Sequence, residues 1–327
     1  MKLISYALPE EPEIARVGFV ISDDEFVSVA QACNTQDTFS LPALTDIHSI
    51  IEAGPEVWKK LTALEQSIQN NLEDLERLRI DDVIILPAVQ KPSKLCGLAL
   101  NNSANTDRIL SGPKHPALFT KPLTALVGHG QPILLKGHYG RVHPEPELAL
   151  IIGKKATDIA AKDAYDYVFG YTVHNDLTSP TMRNEDSFHY RAIHPAKEGE
   201  DIVYVDSHVS YSGRYKGSDT FSPLGPWIVT KDEIQNPHDL NIECHVRDEC
   251  YASDNTQNLF HKIPEVLEFI SAYTTLLPGD VVSLGTALAS SGKPGRAVQN
   301  ADLNIMGGPV SVTIQSIGRL SNPVKKV

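Results

Sequence analysis

The stretch His143-Pro144-Glu145-Pro146-Glu147-Leu148-Ala149-Leu150-Ile151-Ile152-Gly153, with Tyr167-Val168-Phe169-Gly170-Tyr171-Thr172-Val173-His174-Asn175-Asp176 after it, decides how the chain reads. Two carboxylates open one apolar run and a third closes the next. Short apolar runs between Pro and Gly punctuation read as strands. A strand sends alternate side chains to one face, so Glu145 and Glu147 share a face, with His143 beside them. Residues two apart on a strand lie roughly 6.5–7 Å apart, close enough for two carboxylates to converge on one ion. Asp176 can complete that site from a neighbouring strand. Carboxylate-rich oxygen sites suit magnesium, manganese or calcium. A Glu-x-Glu pair also reads as an ordinary solvated strand face, and the residues alone leave that choice open.

Upstream, Leu3-Ile4-Ser5-Tyr6, Arg16–Ile21 and Phe26–Val29 read as short strands, with Asp23-Asp24 as a hairpin turn. Asp46 is a candidate helix N-cap, Gly54 a stop, and Pro55 fits the first turn of a second helix. In that helix Val57, Leu61, Leu64, Ile68, Leu72 and Leu75 recur at spacings of three and four and form one apolar stripe. Lys59, Lys60, Glu65, Glu73 and Glu76 make its solvated face. Pro87 and Pro92 suggest a linker, giving a small domain over 1–90 and a larger one over 91–327. Beyond Leu95 the chain is rich in short strands. The clearest helix there is Ile263–Tyr273, with Pro264 at its start, and Leu277-Pro278-Gly279-Asp280 reads as a type II turn.

The 327 residues carry a net charge of −12 and no basic stripe, which disfavours nucleic acid. An anionic substrate remains compatible, because a bound divalent ion reverses the local field. Cys33, Cys96, Cys244 and Cys250 are scattered, form no CxxC pair and point to a reducing compartment. The first residues are too briefly apolar for a signal peptide, and no run approaches the roughly 20 apolar residues of a membrane span. These features predict a cytoplasmic protein. The sequence has no GxGxxG after a strand, no P-loop, no GxSxG and no HExxH, which leaves the carboxylates as the candidate chemistry.

Beyond residue 90 the chain resembles the fumarylacetoacetate hydrolase family. The resemblance is carried, in order, by Leu95–Asn101, Pro116–Pro122, Glu145–Lys154, Gly170–Asp176, Lys216–Pro226, Pro278-Gly279-Asp280 and Leu284-Gly285-Thr286. It implies an α+β, β-rich fold: a mostly antiparallel β-roll with a small N-terminal α/β domain, assembled as a homodimer. It implies a divalent metal, magnesium first and manganese or calcium as alternatives, on Glu145, Glu147 and Asp176. Lys216 matches the family's lysine that polarises a substrate oxygen, and Gly285 with Thr286 matches its substrate-contacting pair.

Two departures bear on mechanism. Asn105 and Arg108 stand where relatives carry the His and Glu that activate water. After Asp176, Pro180 takes the place of a substrate-facing Arg and Arg183 that of a Gln, so Arg183 is the candidate positive charge. His143 is then the candidate base, or else a partner that orients a ligand carboxylate. The polar excursion over 184–215 reads as a surface or dimer contact, or as a lid carrying a replacement acid–base group among His189, His194 and His208. The leading expectation is a metal-dependent hydrolase that cleaves a C–C bond of an acylpyruvate-like or β-diketo acid in aromatic-compound catabolism. The alternatives are decarboxylation, tautomerisation or hydration of a 2-oxo acid on the same site, or a non-catalytic binding paralogue.

Overall fold

The Pro146–Ile152 strand sits near the middle of the main sheet, and its burial explains its unbroken apolar sequence. Leu148, Leu150 and Ile152 enter one apolar core, while Ala149 and Ile151 enter a second core on the opposite face. A strand covered on both faces has no solvated side on which polar residues could alternate. Each such buried Leu or Ile contributes about 1.5–3 kcal/mol relative to leaving it in water.

The fold is seen in a computed structural model, which describes residues 1–35, 44–70, 75–196, 201–289 and 292–327. Among the described residues the main sheet has twelve strands. Its path runs Leu78–Arg79, Glu25–Ser28, Glu11–Val20, Lys2–Leu8, Ser222–Thr230, Val168–Asn175, Pro146–Ile152, Val281–Ser283, Leu95–Ala99 and Ala117–Lys121. Ile84–Ile85 and Leu126–Val127 pair off that path. Most pairings are antiparallel; Val281–Ser283 runs parallel to Leu95–Ala99. The β-rich, mostly antiparallel α+β fold expected from the sequence is the one observed.

The N-terminal strands join this same sheet, with Lys2 and Leu3 opposite Val229 and Ile228. The proline-bearing segment after Ile85 is tied down as well: Leu86 N–H donates to the Ser5 carbonyl and Ala88 N–H to the Leu224 carbonyl. Asp46 caps the Ile47–Glu52 helix by accepting from Ser49 N–H at 2.8 Å. The next helix, Gly54–Asn70, buries Leu61, Leu64 and Ile68 against the sheet in the second core, as its stripe predicts. Leu72 and Glu73 of that expected helix lie outside the described residues. A four-stranded sheet (Glu249–Asn255, Asn241–Val246, Val310–Ile314, Gly318–Asn322) and the Ile263–Tyr273 helix close the first core. Gly279 adopts φ +84°, and a Cβ there would come within 2.3 Å of the His48 ring, so the turn after that helix admits only glycine.

Candidate active site

Pro146 pairs with Asn175 at one end of the two central strands, so Glu145 and Asp176 meet just beyond the last rung. Asp176 N–H donates to the Glu145 carbonyl at 2.9 Å, and the Asn175 side chain accepts from Glu145 N–H at 3.0 Å. Glu147 follows one pleat later on the same face. Carboxylate oxygens of Glu145, Glu147 and Asp176 all lie within 4.8 Å of one another. The three acids singled out in the sequence therefore converge, two from one strand end and one from its neighbour.

Every one of these carboxylates is held by fixed donors. The chain leaving the Val281–Ser283 strand passes directly beside them. Ser283 Oγ and Gly285 N–H both donate to Glu147, and Thr286 Oγ1 donates to Glu145 at 2.9 Å and to Glu147 at 3.2 Å. Gly285 adopts φ +96°, and a Cβ there would lie 2.9 Å from that of Asn101. Its backbone can turn toward Glu147 only because it has no side chain. On the far side, Lys216 in the Gly213–Gly217 helix donates to Glu145 at 2.7 Å and to Asp176, with its ammonium 5.0 Å from the Phe119 ring centroid.

His143 forms an isolated bridge with Thr178, which brings its Nε2 to 3.0 Å from Glu145 Oε1. Thr178 Oγ1 donates to the same oxygen at 2.9 Å. This is the geometry of a side chain that orients a carboxylate. Arg183 is placed elsewhere. It lies at the exposed end of the Pro180–Glu185 helix and lines a depression with His189 and His208, not among the groups bonded to the three acids. Asn105 and Arg108 bond each other at 3.3 Å and also make no bond to the acids.

Two participants escape a reading by motif. Lys121, fully buried at the end of the Ala117–Lys121 strand, donates to Asp176 and to the Phe221 carbonyl. It lies within one of the resembling segments, but only the fold shows that it reaches Asp176. His174 is also buried, with its ring nitrogens 2.7 Å from Ser283 Oγ and 2.7 Å from Ser222 Oγ. Ser283 spends its one proton on Glu147, so Nδ1 of His174 is the donor to Ser283 Oγ. The resulting chain Ser222–His174–Ser283 keeps Glu147 in place. Nothing in the spacing of these residues announces that chain.

The electrostatics favour the charged forms of Asp176, Glu145 and Lys216 and work against that of Lys121. Burial raises the Asp176 carboxyl, but Lys121 and then Lys216 outweigh it and hold the group below the ordinary aspartate range. Burial raises Glu145 too, yet Lys216 and His143 bring it well below its usual value. Burial acts against the charge on Lys216, while Asp176 and Glu145 more than restore it, so its pKa is raised. For Lys121 burial exceeds the attraction of Asp176, and its pKa is lowered. Three carboxylates thus face two ammonium groups, and an all-oxygen donor set with excess negative charge fits a hard divalent cation.

Asn102 extends the site outward. Its side chain donates to the Thr286 carbonyl at 3.2 Å and to Asp254 at 3.1 Å. It also lines a cavity of about 520 Å³ with Leu100, Ile109, Phe260 and His261.

Comparison with known proteins agrees with this geometry. Residues 96–325 match the fumarylacetoacetate (FAA) hydrolase C-terminal family. The oxaloacetate tautomerase fahd2, mitochondrial, of Xenopus laevis is 28% identical, over 99% of this chain and 90% of its own. A maleylpyruvate hydrolase of Aquipseudomonas alcaligenes is also 28% identical, over 82% of this chain and 85% of its own. Among solved structures, maleylpyruvate hydrolase from Sphingobium sp. SYK-6, in complex with manganese(II) ion and pyruvate, superposes with a TM-score of 0.68 at 25% identity, covering 100% of this chain and 99% of that one. Fold, carboxylate cluster and matched span agree: the chain belongs to the fumarylacetoacetate hydrolase family.

Proposed function

We propose that this chain is a divalent-metal-dependent enzyme that cleaves a C–C bond in an acylpyruvate-like or β-diketo acid by hydrolysis, within aromatic-compound catabolism. The observation that carries the reading is the convergence of Glu145, Glu147 and Asp176 beside the Lys216 ammonium. Magnesium is the first candidate ion, with manganese or calcium as alternatives. A divalent ion there supplies a Lewis acid for a substrate carbonyl. Hydrolysis also needs a base for the attacking water, and His143, bonded to Glu145, is the candidate. Lys216 donates to the oxygen on which negative charge develops as the enolate leaves. Gly285 and Thr286 hold Glu145 and Glu147, and by resemblance to the family they would contact the substrate's oxygens. His143 keeps Glu145 oriented. Arg183 carries no step in this reading. The cavity lined by Leu100, Ile109 and Phe260 suits the carbon chain of a small anionic acid. The four thiols, none of them in a disulfide, suit a reducing cytoplasm.

A second reading, keto–enol exchange of a 2-oxo acid, is favoured by Asn105 and Arg108. They stand in place of a water-activating pair and bond each other. Enolate formation needs no attacking water, and relatives from Xenopus laevis and Bacillus subtilis are named oxaloacetate tautomerases. Incubation of the metal-loaded protein with an acylpyruvate and with enol-oxaloacetate separates the readings. Two carbon fragments support hydrolysis, whereas accelerated loss of the enol absorbance without fragments supports tautomerisation. Activity that survives complete chelation overturns both.

Lys216→Met is expected to lower kcat about a hundredfold, the usual effect of losing one oxyanion donor. Affinity for Mn(II) should hold or rise, because an ammonium that competes for Glu145 and Asp176 is gone. A variant that loses Mn(II) binding but keeps kcat contradicts this role for Lys216; calorimetric titration beside steady-state kinetics reads both.

A further inference from the structure

From Leu284 to Ala289 the chain carries Gly285 and Thr286 past the three acids without strand or helix. With no ladder to fix it, this loop is placed by individual hydrogen bonds. On the side of the acids, Leu284 N–H donates to the Leu148 carbonyl at 3.0 Å and Ala287 N–H to the Pro146 carbonyl at 2.9 Å. On the other side Asn101 Nδ2 donates to the Leu284 carbonyl at 2.8 Å, and beyond Gly285 the loop is held by Asn102 and Asp254.

Asp254 lies in the Glu249–Asn255 strand of the four-stranded sheet, only 8% exposed, and both of its oxygens are filled. Its Oδ2 accepts from Leu288 N–H at 2.8 Å, Ala289 N–H at 3.0 Å and Asn102 Nδ2 at 3.1 Å. Its Oδ1 accepts from Asn255 N–H at 2.8 Å and Asn258 Nδ2 at 2.7 Å. Burial acts against the charge, but the bonds from Asn258, Ala289, Asn255 and Asn102 outweigh it and hold the carboxyl below the ordinary aspartate range. Every donor is neutral, and hydrogen bonds to an ionised acceptor are about twice as strong as those between neutral groups. Asn102 is oriented just as firmly. Its Oδ1 accepts from Ala104 N–H at 3.0 Å, which turns both amide protons toward acceptors, one to Asp254 and one to the Thr286 carbonyl at 3.2 Å. Neither proton is left for a ligand in the cavity that Asn102 borders. Its work is therefore on the protein side.

We infer that Asn102 and Asp254 are positioning residues: they hold the loop so that the Thr286 hydroxyl stands between Glu145 and Glu147, and through it they set the affinity of the three acids for a divalent ion. Thr286 Oγ1 has one proton for two carboxylates, at 2.9 Å from Glu145 and 3.2 Å from Glu147. Threonine is stiff at χ1, so that hydroxyl moves wherever its backbone moves. Hydrogen bonds weaken steeply as their geometry degrades, so a slackened loop frees both carboxylates. Residues that orient ligating carboxylates change metal affinity by about 10- to 100-fold. Asn102 and Asp254 act one bond further out, on the backbone that carries the orienting group.

The inference rests on the metal reading above, and the experiment separates the two. Mn(II) is titrated by calorimetry into the full chain as wild type, Asn102→Ala, Thr286→Val and the double variant, with metal-free melting temperatures measured on the same preparations. Asn102→Ala should bind Mn(II) about tenfold more weakly. Asp254→Asn should lose at least as much, because its amide turns a donor toward donors whichever way it faces. Should that variant fail to fold, Asn102→Ala still carries the test, since it leaves Asp254 four of its five donors. Thr286→Val keeps the shape and removes the hydroxyl, so adding Asn102→Ala to it should change Mn(II) affinity by less than about twofold. A tenfold loss that persists in the Thr286→Val background overturns the inference. So does an Asn102→Ala protein that melts lower yet binds Mn(II) like wild type, which marks a merely structural contact. Wild type that takes up no Mn(II) overturns the metal reading and this inference with it.

Discussion

Asp176→Asn is expected to abolish tight binding of a divalent ion and to lower kcat/KM by about a thousandfold. A bound ion's polarisation of a substrate oxygen is worth several kcal/mol of barrier, and each 1.36 kcal/mol is about a factor of ten in rate. Asp176 is the one acid of the three bonded by both ammonium groups, from Lys121 on one oxygen and Lys216 on the other. The neutral amide keeps the shape, removes the charge and offers one acceptor where two stood. Glu147→Gln provides the control, since Glu147 is held by the neutral donors Ser283, Gly285 and Thr286. It too should lose ion affinity, without leaving buried ammonium groups short of a partner. Mn(II) titration followed by calorimetry, with kinetics on the same preparations, checks both. An Asp176→Asn protein that binds Mn(II) as wild type does would remove Asp176 from the ligand set. One that binds no ion yet turns over normally would remove the metal from the reaction.

The second large effect concerns stability. Lys121→Met should destabilise the metal-free protein by about 3 kcal/mol, the lower end of the cost of breaking a buried ion pair, because Asp176 keeps Lys216 as a second partner. Lys121 has no exposed side-chain surface, and burial already works against its charge. It persists because Asp176 and the Phe221 carbonyl accept hydrogen bonds from its ammonium. Removing it leaves a buried carboxylate short of a counter-charge and a carbonyl short of a donor. A divalent ion supplies the missing charge, so saturating Mn(II) should narrow the difference between variant and wild type. Urea unfolding with and without Mn(II) measures both effects. A loss under about 1 kcal/mol in the metal-free protein would mean that Lys216 alone balances Asp176.

The sequence was informative wherever local chemistry sets the outcome. Apolar runs between Pro and Gly placed the strands at 146–152 and 168–175, Asp46 placed a helix start, and the Glu-x-Glu spacing put two carboxylates on one face. Asp176 needed an antiparallel neighbour in the right register, and the fold supplies it by pairing Pro146 with Asn175. By itself, then, the sequence determined a β-rich fold and, through its resemblance to the family, three acids suited to a hard cation and the lysine beside them.

Only the tertiary structure decided what surrounds those acids, because the groups concerned are far apart along the chain. Lys121 meets Asp176 across 55 residues, and Ser283 meets Glu147 across 136. His174 looks like one more residue of an apolar strand until Ser222 and Ser283 close on its two nitrogens. Arg183 shares a helical turn with neighbours near the site, yet it faces the hairpin, because side-chain direction depends on how the helix is set down and not on its distance from Asp176 along the chain. The 187–210 ribbon is the extreme case. Its large apolar residues fall on both faces, and only the assembled fold shows that they stay exposed among the described residues. Periodicity specifies that a face is apolar; the packed fold alone specifies what lies against it.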